Sequence, residues 1–120
     1  MVRFVALLMF APFVSIAEEV SFSRDVMVVL SKAGCNGGAC HGNQNGKGGF
    51  KLSLWGENPG ADFKALHSRS RVDTGDPAAS KLLLKPTLQV KHGGKKRFET
   101  GSAEYRILLD WIRSGAGKDS

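Results

Sequence analysis

The chain has two cysteines, Cys35 and Cys40, and His41 follows the second one directly. Four residues, Asn-Gly-Gly-Ala, lie between the cysteines. A sequence of 120 residues forms one small domain at most. The glycine-rich, polar middle of this sequence provides only a modest core, so a group held by the cysteine cluster would stabilise the domain considerably. This cluster therefore constrains the fold more than any other feature of the chain.

Three kinds of site could use the cluster. The familiar haem-attachment signature is Cys-x-x-Cys-His, in which each cysteine forms a thioether with a haem vinyl group and the histidine binds the iron. The longer spacing here would require the insert to bulge, and Gly37 and Gly38 have the conformational freedom for a bulge. The cysteines could instead close a small disulfide loop, or bind zinc with His41 and a distant histidine. The motif alone leaves all three open.

The first 17 residues have the pattern of a secretory signal peptide. Arg3 provides a positive start, residues 4–17 are largely apolar, and Ser15 and Ala17 are small residues at the positions that a signal peptidase reads. We therefore predict cleavage after Ala17, a mature domain of residues 18–120, and export to the periplasm or another extracytoplasmic space. A membrane location after cleavage is not expected, because the apolar run is short for a membrane span.

Basic residues outnumber acidic ones by 17 to 11, which gives a formal net charge of +6 at pH 7. Loss of Arg3 with the signal peptide lowers this charge from +6 to +5. Since an exported protein rarely meets nucleic acid, nucleic-acid binding is not expected. The positive charge favours an acidic protein partner or an anionic cofactor instead.

Hydrophobic spacing predicts a mainly α domain with helices at both ends and long loops between them. The first helix is expected to begin at a Ser23 cap and to end at Gly34, directly before the cysteine motif. The last helix is expected to lie between Ser102 and Gly115. Its apolar stripe repeats at helical spacing and comprises Tyr105, Leu108, Leu109 and Ile112, with Trp111 beside it.

Between these helices the sequence predicts one short strand and two short helices. The strand is the alternating segment FKLSL, residues 50–54. The helices are residues 59–68 and residues 76–87, and Asp76 is the expected cap of the second one. Residues 87–101 are expected to form a loop.

Most of residues 22–116 resemble the planctomycete-type cytochrome c domain, a branch of the class I c-type cytochromes found in exported proteins. The matching stretches are FSRDVMVVLSKAGCNGGACHGNQNGKGGFKLSLWGE, SKLLLKPT, HGGKKRF and EYRILLDWIRSGA. The specific part is the DWIRSGA ending of a helix, paired with an amphipathic helix before the motif. The resemblance implies a small class I cytochrome c-like fold, in which the first and last helices pack together and loops enclose one haem. It favours the haem interpretation, since some members of the family have the longer cysteine spacing.

The resemblance also implies roles for individual residues. Cys35 and Cys40 would carry one covalent haem c through thioethers, and His41 would be the proximal ligand of the haem iron. Relatives place a methionine in the loop before the last helix as the distal ligand, but no methionine follows the motif here. That loop contains His92, which we predict to be the distal iron ligand, so that the ligation is bis-histidine.

The chain is thus expected to be an exported mono-haem c-type cytochrome that exchanges electrons with a redox partner protein, which the basic charge predicts to be acidic. No acid–base pair and no nucleophile with a neighbouring base is recognisable in the sequence. We therefore expect neither enzymatic activity nor a small-molecule substrate. The alternative is a haem-free secreted interaction module closed by a Cys35–Cys40 disulfide.

Several other conspicuous side chains are expected to be structural. His67 is predicted to lie on the surface, and Met27 in the core. Trp55 and Trp111 could line a haem pocket, but aromatic residues in a small core need no special role. Basic residues surround His92 and could contact haem propionates or an acidic partner: Lys91, Lys95, Lys96 and Arg97.

Overall fold

The computed structural model describes residues 5–6 and 19–119. Apart from residues 5–6, the predicted signal peptide lies outside this part of the chain. Four α-helices and three short 3-10 or π segments form the described part, which contains an isolated Lys47–Phe50 bridge but no strand. The prediction of a mainly α domain is confirmed.

The first helix begins with a π-helical turn, Phe22–Val26, and continues as α1, Met27–Lys32. Its cap is Ser21, whose Oγ accepts a hydrogen bond from the Arg24 backbone N–H at 3.1 Å. The prediction that Ser23 caps the helix is wrong. Ser23 lies inside the first helical turn, and its hydroxyl donates to the carboxylate of Asp119 instead. Gly34 follows the helix with a φ of 77°, so the predicted helix end is confirmed.

The last helix, α4, spans Ala103–Arg113. Ser102 caps it by accepting a hydrogen bond from the Tyr105 backbone N–H at 3.2 Å, and Gly115 follows it with a φ of 107°. Both predicted boundaries are confirmed. The predicted stripe is buried and comprises Tyr105, Leu108, Leu109, Trp111 and Ile112.

The first and last helices are in contact, and their apolar faces share one core. Phe22 packs against Trp111 with ring centroids 5.5 Å apart, and its edge meets Phe63 at 5.1 Å. Burial of an aromatic side chain such as Trp111, which is 1% exposed, contributes about 2 kcal/mol. Lys32 and Glu104 add an ion pair between α1 and α4 with an N–O distance of 3.2 Å.

The middle of the chain differs from the prediction at its second helix. The first of the two predicted helices is present as α2, Pro59–Leu66. The second is replaced by two shorter elements, a 3-10 turn at Pro77–Ala79 and a helix α3 at Lys81–Leu84. The break is Ser80, which is extended because its buried Oγ accepts a hydrogen bond from the Asp73 backbone N–H at 2.8 Å.

The predicted strand at residues 50–54 does not form. Leu52 is 1% exposed, and its backbone N–H donates to the carbonyl oxygen of His41 at 2.8 Å. The alternation in burial holds at Phe50 and Leu52 but fails at Leu54, which is 42% exposed, and Leu52 packs on the cysteine motif rather than on another strand. A 3-10 turn, Leu54–Gly56, follows it. Within the described residues, no helix is long and apolar enough to cross a membrane.

Asp119 connects the two ends of the domain. Its carboxylate accepts hydrogen bonds from the Phe22 backbone N–H at 2.7 Å and the Ser21 hydroxyl at 2.9 Å. It also accepts hydrogen bonds from the backbone N–H and the hydroxyl of Ser23. These bonds, led by the one from the Ser23 side chain, lower the pKa of Asp119 to about 2.

This lowered pKa predicts an acid-sensitive contribution to stability. A carboxylate whose pKa falls on folding stabilises the fold above its unfolded pKa of about 4 and loses that effect as pH falls through its folded value. Asp119→Asn should therefore lower the melting temperature at pH 7, and the difference from wild type should shrink between about pH 4 and pH 2. Circular dichroism at each pH measures it. Asp110→Asn, at an exposed position of α4, is the control, and a pH-independent difference for Asp119→Asn would contradict the prediction.

Candidate functional site

The four predicted site residues line one cavity of about 560 Å³: Cys35, Cys40, His41 and His92. Three of them come from the cysteine motif, and His92 comes from the loop before α4. Leu30, Phe50 and Leu82 contribute apolar walls. Ligand-binding cavities commonly measure about 300–1,000 Å³, so this one is large enough for a cofactor.

The motif folds into consecutive turns, and the cavity lining leaves out three residues of the insert: Asn36, Gly37 and Gly38. The backbone N–H of Cys40 donates to the Gly37 carbonyl at 3.0 Å, and that of His41 donates to the Cys35 carbonyl at 2.9 Å. Ala39 lines the cavity with the two cysteines, whereas Gly37 does not. The predicted bulge is therefore present, and it leaves both cysteines at the cavity wall.

The expected reason for the glycines in the bulge is wrong. Neither Gly37 nor Gly38 has the left-handed φ that would require conformational freedom. What matters at Gly37 is space, because a Cβ there would lie 3.2 Å from the ring of Trp55. Trp55 thus packs on the outer side of the motif and is itself 60% exposed.

Gly42 is a requirement of the site that the sequence analysis missed. A Cβ on Gly42 would lie 2.0 Å from the carbonyl oxygen of Asn36 and 2.8 Å from that of Gly37. Its backbone N–H donates to the Gly37 carbonyl at 3.0 Å, so the chain folds back on the motif at this residue. The sequence carries no signal of this requirement, because the contacts depend on how the preceding turns fold.

Asn36 supports the motif from the helix side and was also missed. It is fully buried, and its side-chain amide donates to the Ser31 hydroxyl of α1 at 2.8 Å. Its backbone carbonyl accepts from the Trp55 N–H at 3.1 Å. These bonds connect the motif to α1 and to the Leu54–Gly56 turn.

His41 has one ring nitrogen occupied. Its Nδ1 lies 2.9 Å from the Phe50 carbonyl oxygen, which accepts only, so Nδ1 donates. Burial lowers the pKa of the His41 imidazole, which favours the neutral ring. A neutral ring protonated at Nδ1 has its lone pair on Nε2, the form that binds a metal ion.

His92 has the same arrangement on its own loop. Its Nδ1 donates to the Lys95 carbonyl at 2.8 Å, and the Lys95 N–H returns a bond to the His92 carbonyl at 3.0 Å. A Cβ on Gly94 would lie 2.8 Å from Cε1 of the His92 ring, whereas a Cβ on Gly93 would meet nothing within 4 Å. Gly94 therefore leaves room for the ring, and its φ is not left-handed.

The imidazole rings of His41 and His92 lie near each other and are nearly parallel. The ring centroids of His41 and His92 are 6.4 Å apart, and the planes differ by 18°. Metal–imidazole bonds are about 2 Å long and a ring centre lies about 1 Å beyond its nitrogen, so imidazoles on opposite sides of one ion have centres about 6 Å apart. The rings are too far apart for direct contact, and their centroid distance of 6.4 Å is close to this value.

Cys35 and Cys40 are free thiols in the structure, so the disulfide of the alternative hypothesis is not formed. Burial raises the pKa of the Cys35 thiol to about 11, and the nearby Arg97 guanidinium opposes this effect only in part. Cys35 is therefore protonated at neutral pH, unlike the exposed, low-pKa thiolates of cysteine enzymes.

The cavity lining is strongly basic. Seven lysine or arginine side chains and no aspartate or glutamate line it among the described residues. Of the four predicted basic residues around His92, Lys91 and Arg97 line the cavity, whereas Lys95 and Lys96 do not. Lys96 instead forms an ion pair with Glu99 at 3.3 Å. Such a lining suits a ligand that carries carboxylates.

The other conspicuous residues lie outside the lining. His67 is exposed at the end of α2, as predicted, and Met27 is buried in the core, as predicted. Trp111 packs on Phe22, away from the cavity. His92 and the residues of the cysteine motif are therefore the histidine and cysteine side chains that line the cavity.

Within residues 19–119, no group of three or more histidine, cysteine, aspartate or glutamate side chains could hold a metal ion. The zinc interpretation, which needs four such ligands, thus has no support from the geometry. No protein-family model matches the chain, and no curated protein or solved structure is significantly similar to it.

Proposed function

We propose that the chain is an exported mono-haem c-type cytochrome that acts in electron transfer. Cys35 and Cys40 would hold the haem through thioether bonds. His41 would be the proximal ligand of the iron and His92 the distal one. The contact between the first and last helices, with loops around the cavity, is in keeping with a class I cytochrome c-like fold.

One observation carries this proposal: the motif and a histidine some fifty residues later in sequence line the same cavity. The donor set fits a haem in three respects. The thiols lie at the wall, both imidazoles have Nδ1 bonded to a carbonyl, and the basic lining suits propionate groups. A bound haem would supply one-electron exchange between Fe(III) and Fe(II), and the protein would set its potential and access.

Backbone carbonyl oxygens orient the two histidines of the site. The Phe50 carbonyl fixes the tautomer of His41, and the Lys95 carbonyl fixes that of His92. Apolar contacts for the bound group would come from Leu30, Phe50 and Leu82. Bis-histidine ligation should give a lower potential than the histidine–methionine ligation of related cytochromes, because methionine ligation raises the potential.

Export and the partner are also part of the proposal. The mature protein should begin at Glu18, which N-terminal sequencing of exported protein tests. The basic residues at the cavity mouth would attract an acidic redox partner, and this steering should weaken as salt rises.

The decisive experiment is covalent haem attachment in a host that matures c-type cytochromes. Addition of a thiol S–H across each vinyl group forms one C–S bond and loses no atom, so the mature chain should gain the mass of one haem. The haem should resist acid–acetone extraction. A mass two hydrogens below that of the reduced chain would show the disulfide module instead.

Cysteine variants provide the controls for this experiment. Cys35→Ala and Cys40→Ala should each retain haem through one remaining thioether. The double variant should lose covalent haem entirely. Covalent haem in the double variant would contradict the assignment of these two residues.

A further inference from the structure

Arg71 joins three backbone carbonyls on the His41 side of the cavity. One terminal nitrogen of its guanidinium donates to the carbonyl oxygens of Ala65 at 3.1 Å and Ser68 at 3.2 Å, at the end of α2. The other terminal nitrogen donates to the carbonyl oxygen of Gly49 at 2.9 Å. Because three of the five N–H donors are used, the plane of the guanidinium is fixed.

This plane lies against the residue that orients His41. The Arg71 Cζ is 4.3 Å from the centroid of the Phe50 ring, a cation–π contact. The Phe50 ring lies 4.5 Å from that of His41, and the Phe50 carbonyl accepts the His41 Nδ1 proton. The same carbonyl accepts the Lys47 N–H at 3.0 Å. Arg71 thus holds the turn whose carbonyl oxygen meets the imidazole, and it lines the cavity with Phe50 and His41.

We propose that Arg71 is a positioning residue for His41, which keeps the Phe50 carbonyl on Nδ1 and thereby fixes the direction of Nε2. The inference rests on the proposed function for the identity of the bound group, but the hydrogen bond itself does not depend on it. Outer-shell partners of metal-bound histidines commonly change affinity or activity by about 10–100-fold. Lysine would keep the charge of Arg71, but it lacks the planar fork that reaches three carbonyls.

Arg71→Lys in the haem-loaded protein tests the proposal. Hydrogen exchange of the His41 Nδ1 proton, measured by NMR on protein with ¹⁵N-labelled histidine, should become roughly tenfold faster. The low-spin ferric EPR signal should broaden, because the ring direction is less fixed. Haem content and helical circular dichroism should stay at the wild-type level. Wild-type exchange and an unchanged EPR signal would overturn the proposal.

Arg69→Lys is the matched control. Arg69 lines the same cavity and carries the same charge, but its side chain makes no hydrogen bond within the described residues. This variant should leave the exchange rate and the EPR signal unchanged. Equal acceleration in both variants would show that general packing of the cavity, rather than the Arg71 fork, holds His41, and the proposal would be wrong.

Failure of the proposed function would be seen separately. If mass measurement shows no haem, ¹⁵N chemical shifts of the haem-free protein still report the His41 tautomer, which should be the Nδ1–H form in wild type and a mixture in Arg71→Lys. If Arg71→Lys does not fold, Arg71→Gln keeps a planar donor group that is too short to reach the three carbonyls and should cause a change in the same direction. If either variant folds and His41 keeps the wild-type tautomer, the proposal is wrong.

Discussion

His92→Ala should convert the protein from a low-spin to a high-spin haem protein. Wild type is expected to be low-spin in both oxidation states and to lack the sulfur-to-iron charge-transfer band of methionine ligation. The variant loses the only imidazole that faces His41 across the cavity among the described residues, at a centroid distance of 6.4 Å. Its open position should bind added imidazole or carbon monoxide, which the filled wild-type site should resist. Absorption and EPR spectra measure these changes.

The controls separate His92 from other candidates for the distal ligand. His67→Ala should leave the spectrum unchanged, because both ring nitrogens of His67 lie within 2.8 Å of backbone carbonyls of Phe63 and Ala116. Gly94→Ala leaves His92 in place but directs a methyl group at its ring, so a partial high-spin fraction is expected. An unchanged spectrum in His92→Ala would show that the distal assignment is wrong.

The terminal helices, and the place of the cysteine motif directly after the first of them, were predictable because their signals are local. One short segment contains the cap of α4, Ser102, its apolar stripe and the glycine that follows it, Gly115. The hydrophobic pattern and the capping residues therefore predict the same helix. The motif likewise places three chemistry-bearing side chains in seven consecutive residues. Only the resemblance suggested that His92 would lie beside the motif, and its role as an iron ligand stays a prediction.

The errors occurred where a distant residue decides the local structure. Ser21 caps the first helix rather than Ser23, because the helical turn already begins at Phe22, whose backbone N–H donates to Asp119, 97 residues away. Residues 50–54 alternate like a strand, yet Leu52 pairs with the carbonyl of His41. Alternation reports which side chains are buried, but it does not say whether a second strand exists to pair with them.

The same reasoning explains the residues of the site that were missed. Arg71 acts through the carbonyls of Gly49, Ala65 and Ser68, and nothing in its own sequence neighbourhood indicates those contacts. The role of Gly42 depends on the fold of the preceding turns, which a four-residue insert leaves open. The roles of Arg71 and Gly42 can be identified only from the folded structure, in which the chain surrounds the cavity.

Gly42→Ala should nearly abolish haem attachment. The new methyl group would lie 2.0 Å from the carbonyl oxygen of Asn36, and a backbone atom does not move aside as a flexible side chain does. Overpacking of this kind costs about 3 kcal/mol, which lowers the melting temperature of a domain of this size by roughly 15 °C. Displacement of the turn also moves Cys40 and His41, so we expect the haem-bearing fraction of exported protein to fall about tenfold. Intact mass and thermal denaturation measure the two effects.

Gly38→Ala is the matched control for this variant, since it lies in the same motif. Its added Cβ would meet only the Leu54 side chain at 3.9 Å, an ordinary contact. Haem attachment and melting temperature should therefore stay close to wild type. If Gly38→Ala and Gly42→Ala lose haem equally, the motif requires glycine flexibility throughout rather than space at Gly42. If neither loses haem, the tight packing of Gly42 on Asn36 is not needed to bring the cysteines and His41 to the cavity wall.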